Sequence, residues 1–360
     1  MRPPQRAVAA PTSVGKAHSR HGSCFAPFRS PSLPSRGRHL RQHPVQTGGS
    51  QGLGRAVAST LAKAGAHLTI VARTEEALRS AADEIRTLNP SVLVQYACID
   101  LADYNAVLAG LRNVVAKSGR VNWVVANAGS AQLGFLADHL DDNCAERMMN
   151  QNYYSSVNVV RALVAIAREG AAGKEIAGGP GWTVAGVSAA ERALLPQKLI
   201  FVSSMGAIVS FIGYATYSAS KCAQRGLADG LRSEFVPLGI DVHVYLPGNM
   251  DTPGYATENE TKPEITRFIE GNSPILSPSE AARVLLAGVL NSRYLINNDL
   301  IGELIRVVAN GVTPRPNPVS EALAAPLLFG IFSIWGVFFD ADIRSHFEKE
   351  PKASLSSSTV

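Results

Sequence analysis

The sequence contains few cysteines, and they are not arranged for metal or disulfide chemistry. The four cysteines, at positions 24, 98, 144 and 222, form no CxxC pair and have no histidine partners at metal-ligand spacing. The sequence therefore predicts neither a disulfide framework nor a metal site, and this cysteine usage indicates a reducing compartment.

Acidic residues are absent from residues 1–46, although eight of the 34 lysines and arginines of the chain lie there. The segment is rich in Ser and Pro and has no apolar periodicity, so we expect it to be disordered. An acid-free, Arg- and Ser-rich start is also typical of an organelle transit peptide, but the prolines would break its amphipathic helix. Because much of the basic excess behind the net charge of +5 lies in this tail, we expect no nucleic-acid partner.

Long apolar runs are absent except over residues 323–339. This run contains Pro326, Gly330 and Gly336, and it is marginal for crossing a bilayer, which takes roughly 20 residues. Its aromatic residues and lack of charge favour membrane association, as a short span or an embedded hairpin, over a buried helix. We expect a membrane-associated segment over 311–342 and a polar tail over 343–360.

Short apolar runs alternate with helical patterns between residues 47 and 310. Strands are expected over 67–72, 93–98, 123–126, 199–203 and 241–245, and helices over 55–64, 75–88, 104–118, 144–169 and 217–238. This alternation is typical of βαβ units, so we predict a single α/β domain of the Rossmann type with a doubly wound parallel sheet. Residues 170–198 are rich in Gly and Ala without a clear period, and we interpret them as a surface insertion.

A glycine-rich loop, TGGSQGLG at residues 47–54, opens this domain. Glycines let the backbone approach a pyrophosphate closely, and the first amides of a helix attract its negative charge. A flexible linker can also be rich in glycine, but the helix and strand that follow favour a nucleotide-binding loop. The predicted cofactor contacts in this loop are Gly48, Ser50, Gln51, Gly52, Leu53 and Gly54.

Arg73 lies at the end of the strand expected over 67–72, where a carboxylate would bind the ribose 2′-hydroxyl of NAD. A guanidinium there can instead form charge-assisted bonds to a 2′-phosphate, and Ser50 could add a hydroxyl donor. We therefore predict NADPH as the cofactor. An ordinary surface arginine is the competing interpretation.

Tyr217 and Lys221 are four residues apart, which places them on one face of a helix. A nearby cation lowers the pKa of a tyrosine, so that the phenol can give a proton to a ketone oxygen as hydride arrives. The preceding strand brings Ser203 and Ser204 to the carboxyl end of the sheet, where doubly wound sheets build their sites. Neighbouring residues of a strand point to opposite faces, so only one of the two serines faces the substrate.

Taken in order and spacing, these motifs resemble the short-chain dehydrogenase/reductase pattern over residues 47–254. The positions that carry the resemblance are the glycine-rich loop, Asn127-Ala128-Gly129, Asn152, Ser204, Tyr217 and Lys221. The resemblance implies that Tyr217 is the general acid and that Lys221 lowers its pKa and binds the nicotinamide ribose. It also implies that Ser204 orients the substrate carbonyl and that Asn152 holds a water in a proton relay.

The same resemblance implies further cofactor contacts. Asp100 and Leu101 are expected near the adenine, and Asn127 is expected to brace the sheet and the cofactor. Pro247, Gly248 and Thr252 are expected at the nicotinamide end. Simpler roles are a turn residue for Asn127 and a helix cap for Asp100.

Several short sequence segments indicate which members of this family the chain resembles most. Residues 48–54, 71–73, 251–254 and 258–263, together with the apolar C-terminal run, are similar to 3-ketodihydrosphingosine reductases, and the 170–198 insertion is similar to that of fungal members. This implies NADPH-dependent reduction of a long-chain lipid ketone, 3-ketodihydrosphingosine, to dihydrosphingosine. It further implies a catalytic domain that faces the cytosol at the endoplasmic reticulum membrane, and a possible homodimer through helices 144–169 and 217–238. Another lipid ketone, such as a steroid or retinoid, is an alternative substrate.

Residues 39–46 depart from this pattern. A strand buried on both faces should precede the loop, but only Leu40 and Val45 are apolar there, and Pro44 would remove a ladder hydrogen bond. We therefore expect the first strand to be missing, because it was lost or because the first exon is wrongly predicted. The matching alternative is a non-catalytic paralogue with a damaged nucleotide site, although the complete catalytic set argues against it.

Overall fold

The computed structural model describes residues 43–173, 184–271 and 273–349. The tail predicted over 1–46 lies outside the described residues up to position 42. Parts of two other predicted segments also lie outside them: residues 174–183 of the insertion and residues 350–360 of the polar tail.

Seven parallel strands form one sheet in the order β3-β2-β1-β4-β5-β6-β7. The strands are β1 (Pro44–Thr47), β2 (Leu68–Ala72), β3 (Val94–Cys98), β4 (Trp123–Ala126), β5 (Lys198–Val202), β6 (Asp241–Leu246) and β7 (Leu295–Asn297). The chain order reverses between β1 and β4, so a crevice opens there at the carboxyl ends of the strands. The predicted Rossmann-type sheet is confirmed, and β7, with three residues, was not predicted because it is too short to show a period.

Helices cover both faces of the sheet. They are α1 (Gly52–Lys63), α2 (Glu75–Leu88), α3 (Tyr104–Ser118), α4 (Cys144–Met148), α5 (Ser155–Ala172), α6 (Ala189–Leu194), α7 (Ala215–Phe235), α8 (Pro253–Thr261), α9 (Glu264–Glu270), α10 (Pro278–Leu290), α11 (Leu300–Ala309) and α12 (Pro318–Lys349). Apolar side chains of α1, α2 and α10 pack on one face, and those of α3, α5 and α7 pack on the other. This burial of both faces explains the apolar strands.

The expectation that the first strand is missing is wrong. β1 lies at the centre of the sheet between β2 and β4, and all four of its residues are buried. Pro44 occupies the first position, where a strand tolerates proline. The buried polar side chains make hydrogen bonds: Gln46 Nε2 donates to the Thr47 carbonyl oxygen (2.8 Å), and Thr47 Oγ1 donates to the Val125 carbonyl oxygen (3.1 Å). A polar strand is therefore accommodated because most of its polar side-chain atoms find partners, although Gln46 Oε1 has none among the described residues.

No charge is buried with this strand at neutral pH. His43, directly before β1, is 7 % exposed, and its Nε2 lies 2.8 Å from Thr69 Oγ1. Burial, helped by the nearby His67, lowers the pKa of His43 to about 4. The imidazole therefore stays neutral, which removes the desolvation cost that the sequence suggested.

The described part of the 170–198 insertion is more than a surface loop. It contains α6, and the side chains of Val187 and Leu195 are buried in the core. The guanidinium of Arg120 donates to the Leu195 carbonyl oxygen at 2.6 Å. The end of the insertion is thereby fixed beside the start of β5.

The apolar C-terminal run lies in α12, a single helix of 32 residues with Pro326 inside it. The embedded hairpin is therefore wrong, and the helix continues through residues predicted as polar tail. Its start is held by a buried ion pair between Arg306 and Glu321 (2.8 Å). α12 is long and apolar enough to cross a membrane; its most apolar stretch has a mean hydropathy of 2.1, and none of that stretch is buried.

Candidate active site

The glycine-rich loop joins β1 to α1 at the carboxyl edge of the sheet. Gly48 and Gly52 have φ angles of +62° and +53°, which favour glycine. A Cβ atom on Gly54 would lie 2.1 Å from the Gly48 carbonyl oxygen, so this close crossing also requires glycine. The first turn of α1 has no acidic residue, and Gln51 makes no capping hydrogen bond. These features leave helix amides for an anion such as a pyrophosphate.

Two predicted contacts of this loop differ in exposure. Ser50 is half-buried, whereas Leu53 is 5 % exposed and packs in the core beneath α1. The side chain of Leu53 therefore serves packing, and only its backbone is left for a cofactor contact.

Asn127 follows β4 and ties the loop to the sheet. Its Nδ2 donates to the carbonyl oxygen of Thr47 (3.1 Å) and, more weakly, to that of Gly48 (3.4 Å). Its backbone amide donates to Thr47 Oγ1 at 2.9 Å. Asn127 is thus a bracing residue as well as a turn residue.

The predicted adenine-end residues lie at the carboxyl ends of β2 and β3. Arg73 is exposed, and in the part of the chain that the structure describes no carboxylate pairs with it. Asp100 Oδ1 accepts a hydrogen bond from the Ala102 amide (3.0 Å), so it caps a turn. Leu101 is buried, and its carbonyl oxygen accepts from Asn158 Nδ2 (3.0 Å).

Tyr217 and Lys221 face the same crevice from α7. Lys221 is 5 % exposed, and its Nζ donates to the Val202 carbonyl oxygen (3.1 Å) and lies 5.9 Å from the centre of the Tyr217 ring. Ser204 follows β5, and a Cβ atom on Gly206 would lie 3.4 Å from both Ser204 Oγ and Tyr217 Cε1, so the two side chains lie close together. Ser203 points the other way, because its Oγ donates to the Lys221 carbonyl oxygen (3.1 Å). The structure therefore selects Ser204 as the hydroxyl beside Tyr217.

Burial governs the pKa values of this pair. Burial raises the pKa of Tyr217, the hydrogen bond with Ser204 opposes this shift, and the Glu258 carboxylate adds to it. Burial lowers the pKa of Lys221 to about 8. The expected lowering of the Tyr217 pKa is therefore not found, because desolvation of the phenolate outweighs the neighbouring cation. The phenol stays protonated, as a proton donor must be.

Asn152 lies in a π-helical segment, Met149–Tyr154, that interrupts the helix predicted over 144–169. Its side chain is fully buried; Oδ1 accepts from the Ser130 amide (3.0 Å), and Nδ2 donates to Ser220 Oγ (2.9 Å). A Cβ atom on Gly129 would lie 2.4 Å from Asn152 Oδ1 and 3.3 Å from Lys221 Nζ. Asn152 and Lys221 therefore meet behind Gly129, and the π-helix, a feature common at functional sites, turns Asn152 inward.

The predicted nicotinamide-end residues follow β6. The buried Pro247 accepts a hydrogen bond from the Met205 amide (3.2 Å), and the Gly248 amide donates to Asn298 Oδ1 (2.9 Å). Thr252 caps α8, and its methyl group would lie 3.2 Å from a Cβ atom on Gly52. These residues thus border the glycine-rich loop. The supporting Asn298 was missed because it follows the unpredicted β7.

A cluster of ionisable side chains beside Tyr217 was not assigned a role from the sequence. Tyr214 OH lies within hydrogen-bond distance of Glu258 Oε1 (2.6 Å) and of Glu270, to one of which it donates its single proton. Lys262 Nζ pairs with Glu270 (2.7 Å) and Glu258 (3.1 Å). The rings of Tyr214 and Tyr217 are 5.7 Å apart. Residues 258–263 carried the family resemblance, but the contact of Glu258 with Tyr214 spans 44 residues and has no local signal.

His139, Asp142 and Cys144 bring possible metal-ligating atoms within 4.8 Å of one another. Asp142 is already paired with His139 (3.1 Å) and with Arg147 (3.2 Å). The carboxylate is thus used in protein contacts, which gives the cluster a structural explanation.

Comparison with known proteins agrees with this geometry. Residues 43–177 and 184–263 match the short chain dehydrogenase family. The match begins at the residue before β1, so the first strand belongs to the family pattern. Enzymes of this family are oxidoreductases that use a nicotinamide cofactor.

Two curated relatives are similar over most of the chain. The "PIGF/3-ketodihydrosphingosine reductase fusion protein" of Schizosaccharomyces pombe is 35 % identical over 79 % of this chain, a region that spans 53 % of the fusion protein. A 3-ketodihydrosphingosine reductase of Cryptococcus neoformans is 30 % identical, with 91 % of this chain and 90 % of the relative covered.

Solved structures share the fold at lower identity. An alcohol dehydrogenase from the archaeon Thermococcus sibiricus, complexed with 5-hydroxy-NADP, is 24 % identical with a TM-score of 0.52, and the match covers 68 % of this chain and 90 % of that one. The sheet order, the crevice residues and these matches lead to one conclusion: the chain belongs to the short-chain dehydrogenase family, and it resembles the 3-ketodihydrosphingosine reductases within it.

Proposed function

We propose that this protein reduces 3-ketodihydrosphingosine to dihydrosphingosine with NADPH. The observation that carries the proposal is the convergence of Ser204, Tyr217 and Lys221 on one crevice in a chain whose relatives bear this enzyme name. The apolar α12 supports a lipid substrate rather than a water-soluble ketone.

The crevice fits a dinucleotide phosphate. The close crossing of Gly48 and Gly54 and the uncapped start of α1 suit a pyrophosphate. Arg73 has no carboxylate partner in the described chain and would pair with a 2′-phosphate, which favours NADPH over NADH. When bound, NADPH supplies the hydride that adds to the carbonyl carbon.

The side chains of the crevice supply the proton. Tyr217 would donate its hydroxyl proton to the carbonyl oxygen, which Ser204 would hold by a hydrogen bond. Lys221, charged below pH about 8, would stabilise the phenolate left by this transfer and bind the nicotinamide ribose. Asn152 would position a water that returns a proton to the phenolate.

Helix α12 supports association with a membrane. Its large apolar side chains are exposed in a continuous region: Leu323 is 78 % exposed, Leu327 70 %, Phe329 64 % and Val337 70 %. Exposed apolar patches of this kind mark lipid or protein contacts. We place the enzyme at the endoplasmic reticulum membrane with its catalytic domain in the cytosol. A homodimer through α5 and α7 is part of this proposal.

The test uses full-length protein purified in detergent. NADPH oxidation is followed with 3-ketodihydrosphingosine, a steroid ketone or retinal, and NADH replaces NADPH in a parallel series. We expect turnover with the sphingoid ketone and NADPH. Turnover with only the steroid or retinal would assign another lipid ketone, and absence of NADPH binding would indicate a non-catalytic paralogue.

A further inference from the structure

A row of aromatic rings leads from the catalytic tyrosine to α12. The neighbouring ring centres are 5.7 Å apart for Tyr217 and Tyr214, 6.2 Å for Tyr214 and Phe211, 5.9 Å for Phe211 and Phe339, and 5.3 Å for Phe339 and Trp335. Each contact is within the range of packed aromatic pairs. A continuous row of packed rings therefore joins the apolar helix to the proton donor.

A groove lies beside this row, between α12 and the catalytic domain. Its volume is about 240 Å³, and all the side chains that line it are apolar. The walls come from the segment after Ser204, from α11 and from α12, and include Ile208, Ile305, Val308, Phe332, Trp335 and Gly336. Because these side chains offer no hydrogen-bond partner, the groove suits a hydrocarbon chain.

One wall of the groove comes from the chain segment that follows the catalytic serine. Ile208 stands four residues after Ser204, in the segment that begins with the short helical turn Met205–Ala207. A Cβ atom on Gly302, in the first turn of α11, would lie 3.3 Å from Met205 Sδ. The Ile208 wall thus follows the catalytic serine in the chain, and the α11 wall begins against the same segment.

The outer wall is the face of α12 that contacts the domain. Phe332, Gly336 and Phe339 are half-buried, whereas Phe329, Val337 and Phe338 on other faces are exposed. One side of the helix thus lines the groove while the other side is available to a bilayer. A chain that leaves the bilayer along α12 would enter the groove without crossing water.

We propose that this groove holds the alkyl chain of the substrate, so that α12 is a wall of the substrate site as well as a membrane contact. The inference rests on the proposed reduction of a long-chain ketone. Each methylene buried in the groove should raise kcat/KM about four-fold, the equivalent of about 0.8 kcal/mol, until the groove is filled.

The test compares two substitutions on the same helix. Gly336 lines the groove and Gly330 is exposed, whereas a Cβ atom on either glycine meets no other atom within 4 Å. Gly336→Phe therefore places a ring at the groove, and Gly330→Phe is the matched control. The readout is the ratio of kcat/KM for 18-carbon and 8-carbon 2-amino-3-ketones. We expect Gly336→Phe to lower this ratio at least ten-fold and Gly330→Phe to leave it within two-fold of the wild-type ratio. Equal ratios for the two variants would overturn the proposal.

A second measurement separates this inference from the proposed reaction. The probe is an 18-carbon amino alcohol with a photoreactive diazirine in mid-chain, crosslinked to full-length protein in detergent and mapped by mass spectrometry. We expect labelling of α11 and α12 in wild type and Gly330→Phe, and its loss in Gly336→Phe. If no ketone is reduced, the proposed function is wrong, but the crosslinks still show whether an alkyl chain occupies the groove. Labelling that is unchanged in Gly336→Phe would overturn it.

Discussion

The catalytic crevice and α12 differ in the burial and the contacts of their side chains. In the crevice, Asn152 is fully buried and Lys221 is 5 % exposed, and both find hydrogen-bond partners within the domain. On α12, Leu323 is 78 % exposed and Phe338 65 %. The buried polar side chains of the crevice find their partners within the protein, whereas the exposed apolar side chains of α12 require an apolar partner outside it. This contrast supports the proposal that chemistry and membrane contact belong to separate, adjoining parts of one chain.

Removing the proton donor should abolish activity in the crevice and leave α12 unchanged. Tyr217→Phe is expected to lower kcat at least a thousand-fold, because general acid catalysis and the ordering of the carbonyl are both lost. NADPH binding, measured by fluorescence titration, should change less than three-fold. Tyr96→Phe, on β3, is the matched control and should keep full activity. A Tyr217→Phe enzyme with a tenth of normal kcat would contradict the assignment.

Polar substitutions on the exposed face of α12 should weaken membrane binding. The triple substitution Phe329→Ser, Val337→Ser and Phe338→Ser is expected to weaken binding to phosphatidylcholine vesicles about a hundred-fold, because each apolar side chain contributes about 1 kcal/mol or more on burial. Flotation of vesicles measures the bound fraction.

The control for this substitution removes exposed apolar side chains outside α12. Leu88→Ser, Leu93→Ser and Val236→Ser change residues that are 37 %, 48 % and 60 % exposed. This variant should bind vesicles as wild type does. Equal binding by both triple variants would mean that α12 does not contact the bilayer.

The choice of cofactor tests the role assigned to Arg73 in the crevice. Arg73→Ala should raise KM for NADPH about ten- to fifty-fold and leave KM for NADH unchanged, because a charge-assisted pair with the 2′-phosphate is lost. Arg79→Ala, an exposed arginine on α2 that pairs with Glu75, is the control. An equal loss with both cofactors would assign Arg73 a structural role.

The smallest predicted effect concerns the polar first strand. The pKa of His43 is about 4 in the folded protein and 6.5 unfolded. Between these values only the unfolded chain takes up the proton, so stability falls as pH falls through this window. From pH 7 to 5.5 the expected loss is about 1 kcal/mol.

Urea denaturation at the two pH values measures this loss. In His43→Gln the free energy of unfolding should change less between pH 7 and 5.5, and His346→Gln should behave as wild type. The same loss in His43→Gln would contradict the role of His43.

Local patterns allowed the sheet, the glycine-rich loop and the Tyr217-Lys221 pair to be predicted, because each has a period or a fixed spacing. β1 could not be predicted, since Gln46 and Thr47 become acceptable in the core only through hydrogen bonds that the fold supplies. The contact of Tyr214 with Glu258 joins the start of α7 to α8 across 44 residues, and the groove beside α12 joins elements that lie far apart in sequence. Such long-range contacts leave no mark in a local pattern.

The central claim is a hydride transfer to the ketone of a sphingoid base in this crevice. Its most direct test incubates the full-length protein with 3-ketodihydrosphingosine and NADPH deuterated at both C4 positions, followed by mass spectrometry of the lipid. The account predicts dihydrosphingosine one mass unit heavier, with the deuterium on the carbon that was the ketone, and no such product from Tyr217→Phe. An unlabelled product, or labelled product formed equally by Tyr217→Phe, would contradict it.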